Sequence, residues 1–153
     1  MDKTIRLTGM LLALMLLLCS TAAAEGQEIL LPDGTHRLTV PAEMNWQAPS
    51  EEEEDLKGIF LLPPELEMLI YAYDAQGVTT QELAEALVNA GRRAELREIA
   101  GTEFLVFQDT DEADGASCVG YSYISEQKMT EITFFYSTQA AMDLTRTIME
   151  SFQ

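Results

Sequence analysis

The chain has 153 residues, 9 Lys and Arg against 26 Asp and Glu, and a formal net charge of −17. This length suits one domain and hardly two, and a hydrophobic content of 47% argues against wholesale disorder. The acidic charge argues against nucleic acid and anionic membrane surfaces as partners, since phosphate contacts need clustered lysine and arginine.

The N-terminal residues have the pattern of a secretory signal. Two basic residues precede an apolar segment at residues 10–18, and small residues lead to a cleavage site between Ala24 and Glu25. We therefore expect residues 1–24 to be a signal peptide and residues 25–153 to form a single α+β domain. The protein is then expected to be secreted or held in the cell envelope.

Two alternatives to cleavage and release remain open. Residues 7–24 carry no charge and are just long enough for a tilted membrane span, so a retained N-terminal anchor is one of them. Lipidation at Cys19 is the other, although Leu18 stands where a lipoprotein signal has a small residue. Without residues 1–24, Cys118 is the one cysteine left, and its apolar neighbours indicate a buried, inert thiol.

Alternating segments typical of strands dominate the first half of the domain. Residues 35–40 alternate and end at Pro41. A polar stretch follows, and its acidic run at residues 51–55 predicts a solvated loop. Residues 59–62 and 67–75 are predicted strands, and the Pro-Pro-Glu link between them indicates a hairpin or a corner.

A helix is predicted to begin at Thr79. Thr79 and Glu82 have the spacing of a capping box, in which each side chain satisfies an unpaired backbone N–H. Leu83 and Leu87 lie on one helical face, and Gly91 is expected just after the helix ends.

The remaining sequence predicts four strands and a final helix that begins near Ser137 or Thr138. The predicted strands are residues 94–100, 103–109, 117–125 and 129–138. The element order is then β-β-β-α-β-β-β-β-α, and the short links favour antiparallel neighbours. We expect an α+β fold in which two amphipathic helices pack on one face of an antiparallel sheet.

Three features resemble a known superfamily. They are the element order, an early strand that runs into a proline and then a tryptophan (LTVPAEMNW), and a terminal helix that closes on a Ser-Phe pair (IMESF). Together they resemble the PsbP-like superfamily of small exported α+β domains, over most of residues 28–153. The resemblance implies a PsbP-like sandwich, and it favours a non-catalytic accessory or binding role because many members have one. It carries over no individual functional residue.

The sequence contains few combinations of residues that could form an active site. We therefore predict that the protein is not an enzyme and holds no cofactor. His36 is the one histidine; it lies beside Asp33, and we expect it at the surface or a strand end without a role. A Cys–His pair would require Cys118 to approach it across the sheet. Glycine-rich phosphate-binding motifs are missing. Carboxylates are so abundant that close pairs arise by chance, and a small carboxylate-based hydrolase is kept only as an alternative.

The segment DTDEADG offers a candidate metal site. Asp109, Asp111 and Asp114 are hard oxygen ligands crowded in a predicted loop, which suits Ca²⁺. The spacing does not fit an EF-hand, because Gly120 stands where that loop needs a glutamate. A Ca²⁺-dependent binding protein is therefore an alternative function, and a solvated hairpin loop is the simpler interpretation.

Aromatic residues supply the candidate interaction surface. Tyr71 and Tyr73 share one face of their strand, as do Tyr121 and Tyr123 on theirs, and Trp46 lies in a polar stretch. The tyrosines would either line a binding surface or form the core layer beneath the helices. Our preferred prediction is an exported, non-catalytic binding module with an unknown protein or peptide partner.

Overall fold

A computed structural model of the chain describes residues 26–110 and 117–153. These residues form nine strands and two helices. The strands are β1 (Gln27–Leu30), β2 (Arg37–Val40), β3 (Asn45–Gln47), β4 (Leu56–Leu62), β5 (Leu66–Asp74), β6 (Arg93–Ile99), β7 (Thr102–Thr110), β8 (Ser117–Ser125) and β9 (Lys128–Tyr136). The helices are α1 (Thr80–Asn89) and α2 (Gln139–Glu150). The predicted signal peptide and its alternatives lie outside the described residues.

Seven strands form one antiparallel sheet in the order β3-β4-β5-β9-β8-β7-β6, and β1 and β2 form a separate hairpin. The predicted α+β class with an antiparallel sheet is confirmed. Five strands precede the first helix, whereas the sequence predicted three. The additional strands are β1, which has four residues, and β3, which has three, all exposed. Both are too short to show a readable apolar alternation.

The hydrophobic core lies on one face of the sheet, which we call the inner face. Alternate residues of β5, β7, β8 and β9 point into it, and α2 and the β1–β2 hairpin cover them. Its fully buried side chains include Met68, Phe104, Tyr123, Ile132 and Phe134.

The C-terminal Ser-Phe pair closes this core against the hairpin. Ser151 Oγ accepts a hydrogen bond of 2.8 Å from the backbone N–H of Thr39. Phe152 is buried and packs edge-on against Phe104, with ring centroids 4.9 Å apart. The chain end is therefore part of the packed structure.

The helix α1 lies on the opposite, outer face, against β6, β7 and β8. Thr80 Oγ1 donates a hydrogen bond of 2.8 Å to Glu103, and Leu105 is only 3% exposed. Glu103 and Leu105 alternate along β7 with Phe104 and Val106, which point into the core. The predicted placement of both helices on one face differs from the structure, because α2 and the hairpin already fill the inner face.

Both helix starts follow the predicted capping. Thr79 caps α1, and the reciprocal bonds of a capping box with Glu82 are present. Gly91 has a φ of 80° just beyond the helix, a backbone conformation that glycine adopts without strain. Thr138 caps α2 by accepting a hydrogen bond from the N–H of Ala141. No helix within residues 26–110 and 117–153 is long and apolar enough to cross a membrane.

Candidate functional site

The outer face of the sheet is covered only in part. A helix is about 10 Å across and strands lie about 4.8 Å apart, so one helix covers two or three strands. In the described chain α1 lies over β6, β7 and β8, and no helix lies over the outward side of β4, β5 and β9. We call this region the open face. Its outward residues are Ile59, Leu61, Glu67, Leu69, Tyr71, Tyr73, Met129, Glu131, Thr133 and Phe135.

Two tyrosines of β5 form the aromatic centre of the open face. The rings of Tyr71 and Tyr73 stack with centroids 5.9 Å apart and planes inclined by 9°. Both residues are half-buried, so neither is fully covered by the rest of the described chain. Burial, and after it the Glu131 carboxylate, raises the pKa of Tyr73 to about 12. The same two causes, in the same order, raise the pKa of Tyr71.

Glu131 lies beside this tyrosine pair, in the middle of the sheet. It is directly opposite Tyr71 on one side and Ser122 on the other. Thr133 Oγ1 donates a hydrogen bond of 3.0 Å to Glu131 Oε1, and Ser122 Oγ donates one of 3.4 Å to Oε2. Glu131 is half-buried and makes no ion pair with any described residue. The two hydroxyls therefore hold a carboxylate that forms no ion pair within the described chain.

The aromatic ring of Phe107 marks the border between the open and the covered halves. It lies over Gly120 of β8, where an added Cβ would come within 1.9 Å of the ring. The guanidinium of Arg92 lies 5.5 Å from the centre of the same ring and pairs with Asp109 Oδ2 at 2.9 Å. The open face therefore ends where the Phe107 ring replaces α1 as the cover of β8.

The predicted aromatic surface residues separate in the structure. Tyr121 and Tyr123 lie in the core, 4% and 0% exposed, and cannot be part of an accessible surface. Trp46 is 58% exposed on the short strand β3, opposite the core residue Phe60 and therefore away from the open face. The sequence does not show this separation, because strand periodicity assigns residues to a face only once the sheet order is known.

The predicted calcium site lies mostly outside the described residues. Asp111 and Asp114 belong to the undescribed segment, and Asp109 lies near the end of β7, where it pairs with Arg92. Within residues 26–110 and 117–153, no three His, Cys, Asp or Glu side chains are placed to hold a metal ion. Ca²⁺ binding by this loop, and the alternative of a carboxylate-based hydrolase, stay predictions.

A hydrogen-bond network that the sequence did not predict holds the β1–β2 hairpin to the sheet. Asp33 Oδ2 lies 2.6 Å from His36 Nδ1 and accepts a hydrogen bond of 2.7 Å from the Tyr123 hydroxyl. The His36 ring stacks on Phe152, with centroids 4.7 Å apart. Burial opposes ionisation of Asp33, but hydrogen bonds from His36, Thr35 and Tyr123 outweigh it and hold its pKa at about 2. The Asp-Gly-Thr-His sequence is typical of an Asx-turn and could have indicated this turn.

Cys118 does not meet His36. It lies on the outer side of β8, whereas Tyr123, on the same strand, points to the inner side and His36. Burial, followed by the Asp109 and Glu131 carboxylates, raises the pKa of the Cys118 thiol to about 11. The geometry therefore provides no Cys–His nucleophile.

A groove of about 730 Å³ lies between the hairpin and the ends of β5 and β9. Lys57 and Lys128 line it, but so do Asp74 and Glu126. Because both signs of charge are present in equal number, the groove does not select an anionic or a cationic ligand.

Comparison with solved structures identifies related folds. A protein from Bacteroides thetaiotaomicron VPI-5482, known from a crystal structure at 1.50 Å, superposes with a TM-score of 0.61 and 12% identity. The match covers 84% of this chain and 48% of that protein, so the chain spans about half its length. The solution structure of cyanobacterial PsbP (CyanoP) from Synechocystis sp. PCC 6803 superposes with a TM-score of 0.56 and 14% identity. That match covers 88% of this chain and 95% of CyanoP.

Identities this low show the fold alone. The PsbP-like fold resemblance, predicted from the element order and two short sequence segments, is confirmed. No family model matches the sequence. No curated protein matches it.

Proposed function

We propose that this protein is an exported, non-catalytic binding module that receives a protein or peptide partner on its open face. One observation carries the proposal. The outward side of β4, β5 and β9 presents apolar and aromatic side chains, and no helix of the described chain covers them. Exposed apolar patches of this kind mark interaction surfaces more often than chance.

The composition of the open face suits a protein partner. Tyrosine is enriched at interfaces because its ring is apolar while its hydroxyl still forms hydrogen bonds. Tyr71 and Tyr73 supply two such rings, and Phe135, which is 38% exposed, adds an apolar side chain on β9. A shallow concave region of about 260 Å³, lined in part by Leu61, Glu67 and Phe135, lies at one edge of the face and could receive a side chain of the partner.

The remaining elements of the proposal have separate support. The signal-like residues 1–24 support export. The role of His36 in holding the hairpin, and the raised pKa of Cys118, support a non-catalytic function. The net charge of −17 supports a partner other than nucleic acid or an anionic membrane surface.

Site-specific photocrosslinking in the native host tests the proposal. The photoreactive phenylalanine analogue p-benzoylphenylalanine replaces Phe135 on the open face or, as a control, Val88, which is 54% exposed on α1. We expect a discrete crosslinked species from position 135 and none of that mass from position 88. The same species from both positions, or none from position 135, would contradict the proposal.

A further inference from the structure

The structure also indicates the chemistry of the partner, an inference that rests on the proposed function. We propose that the open face binds a basic segment of its partner, with a lysine or arginine side chain placed against the Glu131 carboxylate and over the Tyr71–Tyr73 rings. Three features of the described residues support this: a positioned carboxylate, a tyrosine pair and the surrounding charge.

The carboxylate of Glu131 is positioned but lacks a counter-ion. Hydroxyl groups of Ser122 and Thr133 donate to its two oxygens, which fixes the group at the middle of the face. Hydroxyl donors carry no positive charge, and a hydrogen bond from a cationic donor to a carboxylate is about twice as strong as one between neutral groups. A partner lysine or arginine would supply that cation.

The tyrosine rings provide the second half of a cation site. A cation within about 6 Å of the centre of an aromatic ring is attracted by the negative potential of the ring face. Tyr71 lies directly across from Glu131 in the sheet, and Tyr73 stacks on Tyr71. A side chain that reaches the carboxylate therefore passes beside the tyrosine rings.

Several further carboxylates act on the tyrosine pair. The carboxylates of Glu53 and Glu67 act on Tyr71, and that of Asp55 acts on Tyr73; all favour the neutral phenols. Arg92, at the border of the face, is already paired with Asp109. Lys57 and Lys128 lie at the end of the face, where they line a groove together with Tyr73. The carboxylates around Tyr71 favour a basic partner over an acidic one at the centre of the face.

Titration of the purified protein with a tetralysine peptide, followed by amide NMR, tests this inference. We expect saturable shifts in β5 and β9, and a tetraglutamate peptide should produce none. Glu131→Gln retains the size and the hydrogen-bond acceptor of the side chain and removes its charge. It should raise the Kd for tetralysine about fivefold, the upper end of the effect of one exposed charge pair.

Two controls separate a site from general charge attraction. Glu150→Gln removes the same charge from an exposed position on α2 and should leave the Kd within about twofold. Tyr73→Leu should weaken binding, and Tyr73→Phe should restore it, because both aromatic rings attract cations. A thermal melt of each variant shows that the fold is intact.

Equal weakening by Glu131→Gln and Glu150→Gln, shifts spread over the whole acidic surface, or no saturable binding would overturn the inference. The proposed function has an independent outcome. A discrete crosslink from position 135 together with any of these results would mean that the partner binds the open face through apolar contacts.

Discussion

The two halves of the outer sheet face have the same alternating strands but opposite environments. Over β6, β7 and β8, α1 and the Phe107 ring cover the sheet, and Leu105 is buried. Over β4, β5 and β9, no helix of the described chain lies above Tyr71 and Glu131. Apolar alternation therefore predicts a buried face only where the chain also supplies a cover, and elsewhere it leaves apolar side chains partly exposed.

Two adjacent phenylalanines of β9 provide the largest expected contrast. Phe134 is 0% exposed in the core, and Phe135 is 38% exposed on the open face. Phe134→Ala should lower the free energy of unfolding by about 3–5 kcal/mol through lost burial and a cavity. Phe135→Ala should cost about 1 kcal/mol or less, as surface substitutions do. Urea denaturation of both variants measures the difference, and equal losses would mean that the open face is packed.

Substitution of Asp33 tests how much its hydrogen bonds stabilise the packing of the β1–β2 hairpin on the inner face. Its pKa of about 2 lies below the ordinary value of 3.8, so its contribution to stability is complete above about pH 4 and is lost as the pH falls toward 2. Asp33→Asn should lower the free energy of unfolding at pH 7 by about 2 kcal/mol. It should also flatten the fall in melting temperature between pH 4 and 2. The exposed control Asp143→Asn should leave that fall unchanged, and an unaltered pH profile in Asp33→Asn would contradict the assignment.

A smaller effect is expected at the start of α1, the helix that covers one half of the outer face. Thr79→Ala removes the cap and should cost about 1 kcal/mol. Thr147→Ala, within α2 and exposed, should be nearly neutral because alanine favours a helix. Hydrogen exchange should accelerate in α1 of the Thr79 variant alone. If exchange in α1 stays unchanged, the capping box does not hold the helix on the sheet.

A prediction of chemical reactivity concerns Cys118, at the border of the open face. With a pKa of about 11, against an ordinary value of 9.0, its thiolate fraction at pH 8 is about a hundredfold below that of a free thiol. Labelling by a maleimide should be correspondingly slow in the native protein and fast after unfolding in urea. Rapid native labelling would show an accessible thiol at the border of the open face.

Short sequence motifs correctly predicted the helix starts and the link between two strands. The Thr79–Glu82 capping box, the Pro-Pro-Glu link between β4 and β5 and the cap at Thr138 all form as expected. The short strands β1 and β3 were not predicted, because three or four residues are too few to show a reliable alternation of apolar and polar side chains. The fold class needed only element types, and it is confirmed.

The candidate site depends on long-range pairing, which periodicity does not encode. The tyrosine pairs of β5 and β8 have the same spacing in sequence, yet Tyr71 and Tyr73 face outward and Tyr121 and Tyr123 face the core. Their separation follows from the order β5-β9-β8 and the register of each pair, which bring Glu131 next to Tyr71. The contact between Asp33 and Tyr123 spans 90 residues and escaped prediction for the same reason.

Affinity for the partner captured at position 135 tests most directly whether the open half of the outer face is the binding surface. The double variant Tyr71→Ser, Tyr73→Ser alters that half, and Leu96→Ser alters an exposed apolar residue of β6 on the covered half. We expect the Kd to rise at least about tenfold in the double variant and to stay within about twofold in the Leu96 variant. Equal effects, or a larger effect of Leu96→Ser, would contradict the assignment of binding to the open face.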